Sequence, residues 1–110
     1  MVFTAGPALA VIFLGDSLRR VRAFGDPVRL AMGRELRRLQ LGEEPRRWKP
    51  MSAVGLGVRE IRITIMGEYR VLYVLRDKEV IYVLHAFQKK TQKARHADIA
   101  LARGRLREIE

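Results

Sequence analysis

The stretch YVLHAFQKKTQK, residues 82–93, begins as an apolar strand and becomes a basic, hydroxyl-bearing loop within a few residues. Its first part, from Tyr82 to Phe87, offers the apolar side chains that a sheet buries. Its second part offers lysines and a threonine, which are side chains that bind phosphate groups. A core element and a candidate phosphate-binding surface therefore share one short segment, and we expect the rest of the chain to support it.

Three strands are predicted in the second half of the chain, over residues 58–66, 69–76 and 80–87. Gly67-Glu68 and Asp77-Lys78 connect them. Such short connections join neighbouring strands that run in opposite directions. The three segments therefore predict an antiparallel meander.

The first strand of this meander has alternating side chains. Arg59 and the isoleucines point to one face, and Glu60 and Arg62 point to the other. If the isoleucines face the helices, Arg62 lies on the opposite, open face of the sheet. Arg70 on the adjacent strand can then join it.

The chain before the meander alternates between a predicted strand and predicted helices. The apolar run Leu9–Leu14 is typical of a strand that is covered on both faces. A short helix is expected after Asp16-Ser17, where either side chain can cap it. Asp26-Pro27 predicts the start of a longer amphipathic helix, which has a basic exposed side and ends at Gly42.

The remaining segments complete the predicted fold. Residues 43–57 contain two Pro and two Gly and are expected to form a loop. The last segment predicts a helix with an apolar stripe, formed by Ile99, Ala102, Leu106 and Ile109. We therefore expect a single domain, residues 1–110, of the α+β class. In it, a small antiparallel sheet of the N-terminal strand and the meander carries helices packed on one face.

The composition favours a polyanionic partner. The chain has 22 Lys and Arg against 12 Asp and Glu, a net charge of +10, and a pI near 11.0. Cysteine is absent, which excludes disulfides and Cys-based metal sites and fits a cytoplasmic location. With two His and no metal-ligand spacing, neither a metal nor another cofactor is expected. The apolar run near the N-terminus is too short to span a bilayer, so we expect no membrane partner.

The cations at one end of the predicted sheet suggest a site for a phosphodiester, formed by Arg62, Arg70, Lys89, Lys90 and Lys93. Arginine binds two phosphate oxygens in its planar fork. A lysine whose pKa is lowered by other cations can take a proton from an RNA 2′-hydroxyl, which then attacks the adjacent phosphorus without a metal. His85 is the other candidate proton carrier, because its reference pKa is about 6.5.

Each of these residues also has a structural interpretation. His85 follows an apolar strand and can be a hydrogen-bonded core residue. Lys89-Lys90 can be a solubilising strand end, and Thr91 can cap the last helix. Glu60 is the simplest partner for Arg62, as a surface ion pair.

Several segments together resemble the RelE/HigB toxin superfamily, and within it the phage-derived gene product forty-nine-like branch. They are WKPM (48–51), GLGVREIR (55–62), YRVLY (69–73) and YVLHAFQKKTQ (82–92). The resemblance implies a compact microbial-RNase-like fold and a type II toxin that cleaves mRNA at the ribosomal A site without a metal. The positions that match the basic active-site patch of the superfamily are Arg62, Arg70, Lys89 and Lys90, and His85 belongs to the motif.

The leading hypothesis is therefore a ribosome-dependent mRNA endonuclease that inhibits translation. The resemblance implies a helix-turn-helix antitoxin as its partner, and we expect the free toxin to be a monomer. We expect further RNA contacts from Arg59, Thr91, Lys93, Arg37 and Arg38. Two alternatives are a noncatalytic RNA- or DNA-binding module on the same scaffold and a ParE-like gyrase inhibitor.

Overall fold

Eight elements follow one another in this computed structural model, which describes residues 8–110 and, for residues 92–94, the backbone alone. They are β1 (Ala10–Phe13), α1 (Ser17–Ala23), α2 (Asp26–Gln40), β2 (Trp48–Pro50), β3 (Arg59–Thr64), β4 (Glu68–Arg76), β5 (Val80–Lys89) and α3 (Gln92–Glu108). The strands form one open sheet in the order β1-β5-β4-β3-β2. The predicted α+β class is confirmed, and so is the antiparallel meander of β3, β4 and β5.

Both strands outside the meander differ from expectation. β1 pairs with β5 in the parallel direction, which requires a long connection, and α1, α2 and the strands β2 to β4 lie between them in the chain. β1 is also an edge strand rather than one covered on both faces, and Ile12 is 42% exposed. β2 lies within the predicted loop and pairs with β3, which Pro50 permits because it ends an edge strand.

The helices lie on both faces of the sheet, so the prediction that they all pack on one face is wrong. On one face, α1 and α2 pack through Val21 and Met32 against a cluster that includes Ile61 and Val71. On the other face, α3 packs alone through its predicted apolar stripe, in a cluster that includes Leu72. The reason is that β4 and β5 carry apolar side chains on both faces, and both faces must then be shielded from water by other elements.

A β-bulge between β4 and β5 determines which residues of β5 face α3. Leu72 pairs with His85 and Tyr73 pairs with Val83, so Leu84 is an extra residue on β5. Leu84 packs in the cluster beneath α3, and His85 contacts Asp98 on that helix. The two consecutive side chains therefore face the same side of the sheet.

Within residues 8–110, no helix is long and apolar enough to cross a membrane.

Candidate functional site

A fully buried carboxylate, that of Glu60 on β3, lies at the centre of a group of cations beneath the first turn of α3. Arg95 Nη2 approaches Glu60 Oε2 to 2.8 Å, Arg70 Nε lies 3.3 Å from Oε1, and Arg62 Nε lies 3.9 Å from Oε1. Lys49 on β2 is the strand partner of Glu60. These five residues, Lys49, Glu60, Arg62, Arg70 and Arg95, are called the Glu60 cluster below.

The strand periodicity and register assemble this cluster. Glu60 and Arg62 lie two residues apart on β3 and so face the same side of the sheet, as predicted. Arg70 on β4 is directly opposite Arg62 in the pairing. This face was predicted to be open, but the first turn of α3 covers part of it, and Arg95 lies in that turn. Glu60 is therefore a buried centre with several partners rather than half of a surface ion pair.

Several buried polar atoms of the Glu60 cluster have no hydrogen-bond partner within the cluster. Both carboxylate oxygens of Glu60 and the Nε atoms of Arg62 and Arg70 are buried, and none has a well-directed hydrogen bond among the described side chains. Arg95 Nη1 is also buried without such a hydrogen bond. Buried polar groups are normally paired. Four cationic side chains around one carboxylate therefore form a site with a surplus of positive charge that suits further anionic oxygens.

Lys49 is half-buried, and its pKa is lowered from the usual value of a lysine, which favours the neutral amine. Burial is the main cause of the lowered pKa, and the charges of Arg95, Arg62 and Lys89 add to it against the opposing effect of Glu60. A lowered pKa gives a lysine a larger neutral fraction near neutral pH, which a general base needs. In the sequence, Lys49 lies in a segment that is predicted to be a loop, and it was not among the predicted site residues. Only the pairing of β2 with Glu60 reveals its position.

Arg62 and Arg70 differ in how far they can reach. Arg70 is 1% exposed, and its guanidinium also donates to Glu68 Oε1 at 2.9 Å and to the carbonyl of Tyr69 at 3.1 Å. Its position suits holding the cluster together rather than touching a ligand. The side chain of Arg62 is 31% exposed and can contact a molecule from solvent.

The lysine-rich end of β5 lies at the rim of the same cluster. Lys89 is half-buried opposite Glu68, and its charge contributes to the lowered pKa of Lys49. Lys90 is exposed. Thr91 is also exposed and directly precedes α3, and its carbonyl accepts the N–H of Arg95 at 3.2 Å. The predicted contact from Lys93 lies outside the described side chains.

His85 is a buried link between the sheet and α3. Its Nε2 lies 2.7 Å from Asp98 Oδ1, and its ring stacks on Phe87 with centroids 5.3 Å apart. Burial lowers its pKa although Asp98 opposes that effect, and the other charges that act on it are those of Arg20 and Arg105. None of these belongs to the Glu60 cluster. The geometry therefore favours the structural interpretation of His85.

The other predicted RNA contacts lie away from this face. Arg59 faces the side of α1 and α2, where its guanidinium carbon lies 3.9 Å from the Trp48 ring centroid and its Nη1 lies 3.2 Å from Glu44. Arg38 on α2 pairs with Glu43 at 3.3 Å, and Arg37 is exposed. The predicted cations thus divide into two groups on opposite sides of the sheet.

The described residues contain no group of three or more His, Asp or Glu side chains that could hold a metal ion.

Comparison with known proteins gives one family. The family model described as phage derived protein Gp49-like (DUF891) matches residues 19–107, which include the whole Glu60 cluster. No curated protein matches the chain.

Proposed function

The chain belongs to the Gp49-like family of phage-derived proteins, and we propose that it is the toxin of a type II toxin–antitoxin system, an endoribonuclease of the RelE/HigB kind. The observation that carries the nuclease proposal is Lys49, a partly exposed lysine with a lowered pKa beside a surplus of buried arginines. A base next to a phosphate-binding surface is the combination that RNA cleavage by a 2′-hydroxyl requires.

In the proposed reaction, neutral Lys49 takes the proton of a ribose 2′-hydroxyl. The 2′-oxygen then attacks the adjacent phosphorus, and the bond from phosphorus to the 5′-oxygen breaks. The products are a 2′,3′-cyclic phosphate and a 5′-hydroxyl, whose proton comes from the ammonium of Lys89 at the rim of the cluster. Both lysines lie close enough for the charge of Lys89 to affect the pKa of Lys49.

The negative charge that develops on the phosphate oxygens would be stabilised mainly by Arg62. Its guanidinium is partly exposed at the mouth of the cluster. Arg70 and Arg95 lie behind it and supply a fixed positive field that needs no rearrangement during the reaction. The positive end of the α3 dipole points into the same region, because the helix begins directly after Thr91. Glu60 would hold these cations in place.

Two further parts of the proposal rest on charge and family. The net charge of +10 suits docking on ribosomal RNA, which supports ribosome-dependent cleavage of mRNA. The resemblance to the RelE/HigB superfamily implies a helix-turn-helix antitoxin as the partner that would neutralise the toxin.

The test compares Lys49→Arg and Lys49→Ala with Lys78→Ala, which removes an exposed lysine in the β4–β5 turn. We expect both Lys49 variants to lose roughly 10²- to 10⁴-fold in cleavage rate and to stop arresting growth. The Arg variant should still bind RNA, because it keeps the charge but cannot act as a base. The wild-type rate should rise with pH until Lys49 is neutral. A Lys49→Arg protein that cleaves at the wild-type rate would refute Lys49 as the base.

A noncatalytic RNA-binding module is the second candidate. It is favoured by the commitment of Arg70 and Arg95 to Glu60, which leaves fewer cations free to act on a substrate. In that case, RNA affinity would fall steeply with salt, and no cleavage would occur with or without ribosomes.

A further inference from the structure

The outer edge of β3 becomes open where β2 ends. β2 pairs with β3 only as far as Ile61, and the next residue, Arg62, donates its N–H to the carbonyl of Arg47 at 3.0 Å. Beyond this point, no strand among the described residues pairs with the edge. A cleft of about 230 Å³ lies there between β3 and α2. Its polar lining consists of Arg34, Glu35, Arg46, Arg47, Arg62 and Thr64, and it is called the edge cleft below.

The edge cleft is lined by four arginines and by one residue that has a carboxylate. The carboxylate, that of Glu35, is 5% exposed and accepts the backbone N–H of Arg46 at 2.6 Å. The side chains of Arg34 and Arg46 are exposed and form no ion pair with any residue whose side chain is described. Arg47 donates to the Thr64 hydroxyl at 3.1 Å. The cleft is therefore strongly positive, and its one acid is turned inward.

Arg62 connects the edge cleft with the Glu60 cluster. It lines the cleft, and its Nε lies 3.9 Å from Glu60 Oε1. The two cationic regions are thus neighbours along one strand. Glu68 lies between them, and both of its carboxylate oxygens are engaged, by Arg70 at 2.9 Å and by the Thr64 hydroxyl at 2.9 Å. A single phosphate in the cluster would occupy only one end of this surface.

We propose that the edge cleft binds the phosphodiester backbone of an RNA strand on one side of the bond that is cleaved at the Glu60 cluster. The position of the cleaved bond in this proposal rests on the proposed function, whereas the binding of RNA in the edge cleft does not depend on it. The planar guanidinium fork matches two phosphate oxygens, and several forks in a row match successive phosphates. The substrate is then an RNA strand whose backbone continues past the cleaved bond, and affinity depends on strand length.

The test uses a single-stranded oligoribonucleotide that is 2′-O-methylated throughout and therefore cannot be cleaved. Its affinity is measured by fluorescence anisotropy over a range of salt concentrations. The cleft variant is Arg34→Gln with Arg46→Gln. The matched control is Arg22→Gln with Arg107→Gln, which removes the same charge from two exposed arginines on α1 and α3.

We expect the cleft variant to lose roughly tenfold or more in affinity, since each site contributes charge-assisted hydrogen bonds. The slope of log affinity against log salt should fall by about 1 to 1.5, as for two lost phosphate contacts on a single strand. The control should change far less, and a dinucleotide should not distinguish the two proteins.

Two results would overturn the proposal. One is equal loss in the cleft variant and the control, which would mean that only total charge matters. The other is unchanged RNA affinity in the cleft variant, and weaker binding of an acidic polypeptide by the same variant would then assign the cleft to a protein partner. If the cleft variant loses RNA affinity but no form of the protein cleaves RNA, the cleft stands and the nuclease proposal fails.

Discussion

Ion pairs attach α3 to the rest of the fold near both of its ends, and the two ends differ in how completely the hydrogen-bonding groups of these pairs are satisfied. Near the end of the helix, Arg105 Nη2 donates to Asp16 Oδ1 at 2.7 Å and Nη1 donates to the carbonyl of Leu84 at 2.9 Å. Arg20 Nε donates to the other oxygen of Asp16 at 2.8 Å. Near the start of the helix, the oxygens of Glu60 have close cations but no well-directed hydrogen bond among the described side chains.

The difference separates an attachment from a binding site. Hydrogen bonds from Arg105 and then Arg20 hold the pKa of the Asp16 carboxyl well below its usual range, which is the behaviour of a stable ion pair. The Glu60 cluster instead concentrates cations and keeps Lys49 at its open side with a lowered pKa. The same kind of contact therefore fixes the helix at one end and leaves charge available for a ligand at the other.

The largest expected effect comes from Glu60→Gln. Removing one partner of a buried ion pair leaves uncompensated charge, so we expect a loss of about 3–5 kcal/mol in the free energy of unfolding, measured with urea. Glu43→Gln is the control, because it removes a carboxylate of which 54% of the side chain is exposed. Inorganic phosphate should restore more stability to Glu60→Gln than to the wild type. A loss below about 1 kcal/mol would show that this carboxylate does not hold the cations together.

A smaller effect is expected from Asp16→Asn, at the satisfied end. Losing charge-assisted hydrogen bonds to Arg105 and Arg20 should cost about 1–3 kcal/mol at neutral pH. The folded-state pKa of Asp16 is lowered, so its contribution is complete above the unfolded value and is lost as pH falls toward the folded value. The stability gap between wild type and variant should therefore narrow below about pH 4.

Asp26→Asn is the control for that pH series, because the Asp26 side chain is 83% exposed and pairs only with Arg29 among the described residues. Its effect should be small at every pH. If the gap between wild type and Asp16→Asn stays constant down to acid pH, the ion pair at the end of α3 does not supply the stability.

The sequence predicted some members of the Glu60 cluster and missed others. Strand alternation placed Glu60 and Arg62 on one face, and strand order placed Arg70 beside them. The position of Lys49 depends on a three-residue strand that ends in Pro50, a segment with too little pattern to predict. The approach of Arg95 depends on α3 covering the second face, which single-strand periodicity does not specify.

The sequence also could not predict which face of the sheet His85 occupies. The motif that contains it predicts a strand end, and alternation alone cannot assign its face. The bulge at Leu84 turns it toward Asp98 on α3. A bulge adds one residue without a distinct composition, so the sequence left both interpretations of His85 open.

The smallest effect is expected from Arg37→Ala, on the exposed side of α2. Its side chain has one weak contact among the described residues, to Gln40 Oε1 at 3.5 Å, and it lines neither the edge cleft nor the Glu60 cluster. We expect less than about 0.5 kcal/mol change in stability. In the cleavage assay, Arg62→Ala should lose roughly 10²- to 10³-fold, as for loss of a transition-state donor, while Arg37→Ala should stay close to wild type. Both variants remove one positive charge, so a difference between them measures placement rather than charge. Equal losses would mean that the Glu60 cluster has no special role and that overall charge alone determines activity.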